Sequence, residues 1–221
     1  MLAFIKLENV TFSYFKDKNA VKNISFQLKK NEVAALIGPN GSGKTTLGKL
    51  IIGVLKPNEG KIFIDGIDNN KMTLGQIGGK VGYLFQNPDC QIFTTTVMDE
   101  LAFILKFKEV PEEEINKNIS ETLELFDLAD LQNSYTFNLS QGEKQRLAIA
   151  AIMMGKPEYL ILDEPTSGLD MERKAKLVNI LQNLVQSGIG MMVISHDRAF
   201  IDLIAAKKIK MLEGEIIEEN C

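Results

Sequence analysis

The rhythm of apolar and polar positions changes along the chain. FIKLENVTFSY and KNISFQLK read as strands, the second carrying Ile24, Phe26 and Leu28 at alternate positions on one face. That period of two, broken by the polar stretch FKDKNA, predicts an antiparallel hairpin or meander. From VAALIG onward the apolar runs become short and unbroken: VAALIG itself, then KIFIDG, VGYLFQ, YLILD, MMVISH and KIKML. Unbroken runs are what strands need when a sheet is buried on both faces. Helical spacing follows VAALIG in TTLGKLIIGVL and returns between the later strands, notably in MERKAKLVNILQNLVQ. The alternation predicts an α/β fold with a mostly parallel sheet and an antiparallel β flank at the N-terminus.

Between VGYLFQ and YLILD no strand-like run occurs, whereas VMDELAFILKF, PEEEINKNISETLELF and EKQRLAIAAIMM all have helical periodicity. An inserted α-helical subdomain is therefore expected over 87–156, with 1–86 and 157–221 forming the α/β core of one domain. The 221 residues suffice for such a core, and 45% apolar with 24% charged residues is the balance of a folded, soluble protein. Lys and Arg total 25 against 29 Asp and Glu, a net charge of -4 with no basic block, which argues against nucleic acid as a partner. Runs such as LAIAAIMM are far shorter than the ~18 to 20 residues that span a bilayer. The start MLAFIKLENV includes an acid and no cleavage-like site, so no export leader is expected. Cys90 and Cys221 are far apart and lack metal-ligand spacing, which fits a reducing, cytosolic setting.

GPNGSGKT, from Gly38 to Thr45, has the P-loop pattern G-x-x-x-x-G-K-[ST], placed after a buried strand and before a helix. Gly38, Gly41 and Gly43 let the backbone curl around phosphate, with Pro39, Asn40 and Ser42 between them and Thr46 opening the helix. Lys44 is expected to reach the β and γ phosphates, and the Thr45 hydroxyl to ligate Mg²⁺. A nucleoside triphosphate is thus the expected ligand. YLILDE ends a strand on two adjacent acids, a like-charge pair best explained by a cation beside it. On the strand beside the P-loop, Asp163 would hold Mg²⁺ and Glu164 would orient or deprotonate the attacking water. The competing reading is that both acids cap the turn before Pro165. The Asn-Lys-x-Asp segment of a guanine-reading GTPase does not occur; DNNK lacks that order.

LSQGEKQRLAIA begins at Leu139 and opens a helix. Together with GPNGSGKT, Gln86, LILDEP, SGLD and His196, it resembles the ATPase subunits of ABC transporters over essentially the whole chain. In that family the segment usually reads LSGGQ and presents its Ser and Gly to the γ-phosphate bound on the opposite subunit. The resemblance gives that role to Ser140 and Gly142, with Gln141 and Glu143 departing from the usual form. Ser140 and Glu143 also satisfy a capping box, a purely structural use of S-x-x-E. Further implied roles are Gln86 sensing Mg²⁺ or the water, Asp170 of SGLD meeting the partner's P-loop, and His196 contacting the γ-phosphate. Tyr14 matches the aromatic that stacks on adenine, and a sheet aromatic beside Phe12 and Phe15 is the alternative.

After Gln86, NPDCQIFTTTVMDELAF resembles the energy-coupling factor branch, which imports cobalt, nickel or vitamins. The resemblance implies docking of a short helix from a membrane-embedded subunit near Ile92 and Phe93, unless these pack on their own helical subdomain. Members of this branch often continue into a C-terminal dimerisation segment, while this sequence ends at Cys221, soon after GEIIEEN. The expectation is an ATPase using ATP and Mg²⁺, paired with an identical or related ATPase subunit and peripheral on the cytoplasmic face of the cell membrane. Its dimer would close on ATP and reopen after hydrolysis. A soluble ABC ATPase acting in assembly or remodelling is the alternative.

Overall fold

A computed structural model describes residues 3–15 and 18–220. The sequence expectations that involve Cys221 and the Lys16–Asp17 tip of FKDKNA lie outside them. The N-terminal hairpin forms as β1 (Ile5–Phe15) and β2 (Lys18–Leu28), paired antiparallel with Leu7 opposite Phe26. After β3 (Val33–Ile37) and α1 (Lys44–Ile51) come β4 (Glu59–Ile64) and the two-residue β5 (Ile67–Asp68). KIFIDG therefore departs from the expectation: it lies in β4, pairs antiparallel with β1, and completes a four-stranded sheet of order β2-β1-β4-β5. Only one face of β4 is covered, since Ile62 and Ile64 are buried while Lys61 is exposed.

Following the short α2 (Leu74–Gly78) and β6 (Val81–Leu84), three helices run without an intervening strand: α3 (Val97–Phe107), α4 (Glu112–Leu125) and α5 (Gln141–Met154). The chain then alternates through β7 (Tyr159–Asp163), α6 (Met171–Gln186), β8 (Gly190–Ile194) and α7 (Arg198–Ile204) before the β9 (Lys207–Leu212) and β10 (Glu215–Asn220) hairpin. The second sheet has the order β10-β9-β3-β8-β7-β6, parallel except for β10. Side chains on its inner strands alternate between two cores because successive Cβ atoms point to opposite faces. Leu160, Leu162, Met191 and Val193 enter a core shared with α3 to α6. Tyr159, Ile161, Met192 and Ile194 enter one shared with α1 and the antiparallel sheet. Residues of both parities must be apolar, which is why these strands read as unbroken runs.

The topology corrects one detail. The strand carrying Asp163 is not beside the P-loop strand: β8 lies between β3 and β7. Asp163 reaches the P-loop only because both strands end on the same edge of the sheet.

Candidate nucleotide site

The loop between β3 and α1 lies on the backbones of two other elements. Gly43 has φ of 101°, and a Cβ there would come within 2.2 Å of the Ala20 carbonyl oxygen on β2. Gly38 is equally constrained, with the Met211 carbonyl of β9 at 2.1 Å from where its Cβ would be. The β9–β10 turn supports the loop from behind, Gly214 N–H donating to the Ser42 carbonyl at 3.0 Å. Lys44 folds over the loop and donates to the Gly38 and Pro39 carbonyls at 2.8 and 2.9 Å. Burial holds its ammonium below the usual lysine range, and the Glu164 and Asp163 carboxylates partly offset this.

A cavity of about 500 Å³ collects Asn40, Gly41, Lys44, Thr45, Thr46 and Tyr14, with Gln86, Asp163, Glu164 and His196 on its other walls. Asp163 is 2% exposed; Tyr83 donates to its Oδ2 at 3.0 Å, while its Oδ1 has no hydrogen-bond partner among the described residues. Burial raises its pKa, with the Thr45 and Tyr83 hydroxyls and Lys44 pulling the other way and Glu164 adding to the rise. A buried carboxylate with one bare oxygen beside a hydroxyl fits a hard cation. Thr45, Asp163 and the exposed amide of Gln86 are among the oxygen donors that line the cavity and fit Mg²⁺.

Glu164 takes φ of 50°, a left-handed conformation that costs about 1 kcal/mol or more for a residue with a Cβ. Its N–H is fixed by the Ile194 carbonyl at 2.8 Å. The turn aims its carboxylate at the end of β8, where Oε1 lies 2.9 Å from His196 Nδ1 and Oε2 accepts from Ser195 at 3.4 Å. His196 is exposed and Glu164 nearly buried, so the imidazole covers the acid from the solvent side. Tyr14 donates to or accepts from Thr46 at 3.2 Å, packs edge-on against Phe12, and leaves 53% of its surface open.

Other sequence-predicted residues gather elsewhere. Ser140 caps α5 in a reciprocal box: its N–H donates to Glu143 Oε2 at 2.7 Å and its hydroxyl accepts from Glu143 N–H at 3.5 Å. Gly142 packs on the first turn of α6, where a Cβ would lie 2.8 Å from Arg173 Cδ. Asp170 caps α6 by accepting from Arg173 N–H at 2.9 Å. The LSQGE helix start and the SGLD turn thus lie side by side, with Gly142 buried under Arg173, and none of Ser140, Gly142 and Asp170 lines the nucleotide cavity. Gln86 lies two residues beyond β6 and is exposed. Ile92 packs partly buried against the helical core. Phe93 instead is 65% exposed, edge-on to Phe103, and borders an apolar groove of about 440 Å³ with Val54, Leu74 and Ile77.

Several contributors have no sequence signal of their own. Tyr83 lies inside a buried strand run like any core aromatic, yet its hydroxyl fixes Asp163. Glu100 looks like a solvated helix residue, yet it is buried and accepts from Phe93 N–H, Thr94 N–H and the Thr94 hydroxyl at 3.2, 2.9 and 2.7 Å. Among the described residues no helix is long and apolar enough to cross a membrane. Cys90 is a free, exposed thiol.

Residues 21–167 match the family described as ABC transporter. The chain is 40% identical over 218 residues to the energy-coupling factor transporter ATP-binding protein EcfA of Methanothermobacter thermautotrophicus, the alignment covering 98% of this chain and 70% of that protein. CbiO1 of Clostridium perfringens, described as part of the ABC transporter complex CbiONQ, superposes with a TM-score of 0.91 at 32% identity, covering 99% of this chain and 88% of that one. A dimeric ATP-binding cassette in a post-hydrolysis state with ADP and phosphate superposes with a TM-score of 0.88 at 30% identity, covering 98% and 97%.

Proposed function

The chain belongs to the ABC transporter ATP-binding family, and from that premise we propose that it drives an importer of the energy-coupling factor type, taking up cobalt or nickel ions or a vitamin. The family makes it an ATPase of a transporter. The observation that carries the two-subunit mechanism is the division of its parts: P-loop, Asp163, Glu164 and His196 share one cavity, while Ser140, Gly142 and Asp170 lie together outside it. A second ATPase subunit, identical or related, brings that region to the nucleotide, and the two chains sandwich ATP. Similarity to EcfA and to a component of CbiONQ supports the branch. In this reading 87–156 acts as the helical subdomain on a core of 1–86 and 157–221. The protein lies peripherally on the cytoplasmic face of the membrane, with a membrane subunit docking at the Phe93 groove.

Within the site, Lys44 and the loop N–H groups bind the phosphates, and Tyr14 stacks on adenine. Thr45, Asp163 and Gln86 hold Mg²⁺, which supplies charge neutralisation on the phosphate oxygens. Glu164 orients the water and takes its proton. His196 donates to charge developing on the γ-phosphate. A neutral imidazole that donates from Nδ1 to Glu164 presents an acceptor at Nε2, so its contact with Glu164 and donation from Nε2 compete unless the ring is doubly protonated.

Glu164→Gln tests the assignment. It should keep ATP affinity, slow hydrolysis by about 10² or more, and accumulate as a dimer with ATP and Mg²⁺ in size-exclusion runs. Turnover near wild type would place the base elsewhere, and a monomer at every ATP concentration would refute a sandwich between two copies of this chain.

A further inference from the structure

The segment that follows Gln86 is held as a stiff clip. Asn87 accepts from Asp89 N–H at 3.1 Å and begins a single 3₁₀ turn over Pro88–Cys90, closed by Gln91 N–H donating to the Pro88 carbonyl at 2.9 Å, to which Ile92 N–H also donates at 3.0 Å. The Gln91 amide then bolts the clip to the end of β6, donating to the Tyr83 carbonyl at 3.1 Å and accepting from Phe85 N–H at 3.2 Å. A third attachment leaves the clip sideways: Lys144 Nζ donates to Asp89 Oδ1 at 2.7 Å. Lys144 is on α5, its side chain 17% exposed, and its own N–H donates to the Ser140 carbonyl at 2.9 Å, the first turn of the LSQGE helix. The turn and α5 also pack directly on each other.

Gln86 at one end of the clip faces the nucleotide cavity, and Phe93 at the other borders the apolar groove. We propose that the Asp89–Lys144 ion pair is a strut that sets the position of the LSQGE helix from the position of this clip. Its effect is then felt in trans: whatever moves the clip of one chain changes how Ser140 and Gly142 of that chain meet the nucleotide held by the other. Asp89 and Lys144 are positioning residues, acting through the helix start. The inference rests on the sandwich reading above.

Mixed dimers separate the two claims. A Ser140→Arg chain and a Lys44→Ala chain, carrying different affinity tags, form one working composite site, built from the P-loop of the first and the LSQGE helix of the second. Hydrolysis by this control pair establishes the sandwich between copies of this chain, on which the strut is tested; an inactive control would overturn that homodimeric sandwich and the strut with it. Lys144→Asp is then placed in one chain at a time. In the Lys44→Ala chain, which lends its helix, it should lower the rate by about fivefold or more with KM for ATP unchanged. In the Ser140→Arg chain, which lends its P-loop, the rate should stay at the control value. Adding Asp89→Lys to the chain that carries Lys144→Asp should restore activity, and the effect should weaken in high salt because Asp89 is half exposed. A loss equal in both placements, no loss at all, or failure of the charge swap would overturn the strut. Where Lys144→Asp lowers the melting temperature of its chain, Lys144→Gln makes the same comparison with the same asymmetry expected.

Discussion

Asp163 ends β7 with one oxygen held by Tyr83 and the other without a partner among the described residues. Burial raises its pKa, so the folded chain holds that proton more tightly than the unfolded chain. Between the ordinary aspartate value and the raised one, folding takes up a proton, and stability therefore falls as pH rises through that window. Asp163→Asn removes the titration. In metal-free buffer it should melt higher than wild type at neutral pH, with the difference shrinking on acidification toward about pH 4. Mg²⁺ with ATP should raise the melting temperature of wild type and that of the variant much less. A variant that melts lower than wild type at neutral pH would show that the carboxylate is needed for folding and not for a cation. The sequence revealed this acid through its adjacency to Glu164, but not its partner: Tyr83 is one more apolar-run residue until the parallel pairing of β6 and β7 brings its ring beside β7.

At the scale of elements, the β6–α3 connection shows what periodicity cannot supply. VMDELAFILKF announced α3 with its limits, Val97 to Phe107, because apolar spacing is a local signal, and in the structure the Thr96 side chain caps the helix. The loop before it is ordered by Glu100, whose three donors lie six or seven residues back, and no pattern of apolar positions encodes such a bond. Glu100→Ala should cost about 1 to 3 kcal/mol in denaturant midpoint analysis, since it strands partly buried donors. Glu100→Gln keeps one acceptor oxygen and should cost less; equal losses would mean that the side chain's bulk and not its bonds holds the loop. KIFIDG failed for a related reason. Its apolar residues suit either a strand buried on both faces or one face of an antiparallel sheet, and only pairing with β1 decides between them.

For the whole molecule, charge and apolar surface point to the same division of labour. The chain is acidic overall, and under the proposed reading it docks through local apolar contact, for which the groove beside Phe93 and Phe103 is the candidate. Phe93→Asp should reduce copurification with the membrane subunits by an order of magnitude or more, through a carboxylate desolvated without a partner. Its ATP-driven dimerisation and melting temperature should hold, as expected for a ring already 65% exposed. Wild-type copurification would remove the groove from the docking reading. The order of motifs revealed the fold and the nucleotide cavity, but not the strand that organises them. Because β8 separates β3 from β7, its end carries His196, its Ile194 carbonyl fixes Glu164, and its alternate side chains enter two cores. Insertions and deletions are accordingly not equal along this chain. One residue added to the Ser187–Ile189 turn and passed into β8 would exchange the two faces of the strand and displace both Glu164 and His196 in a single step. An added residue between α3 and α4 inverts no strand; it disturbs only the packing of Val110 on the helical core and the bond from Lys108 to the Gly155 carbonyl. Chain length is therefore constrained more tightly just before β8 than on the helical side.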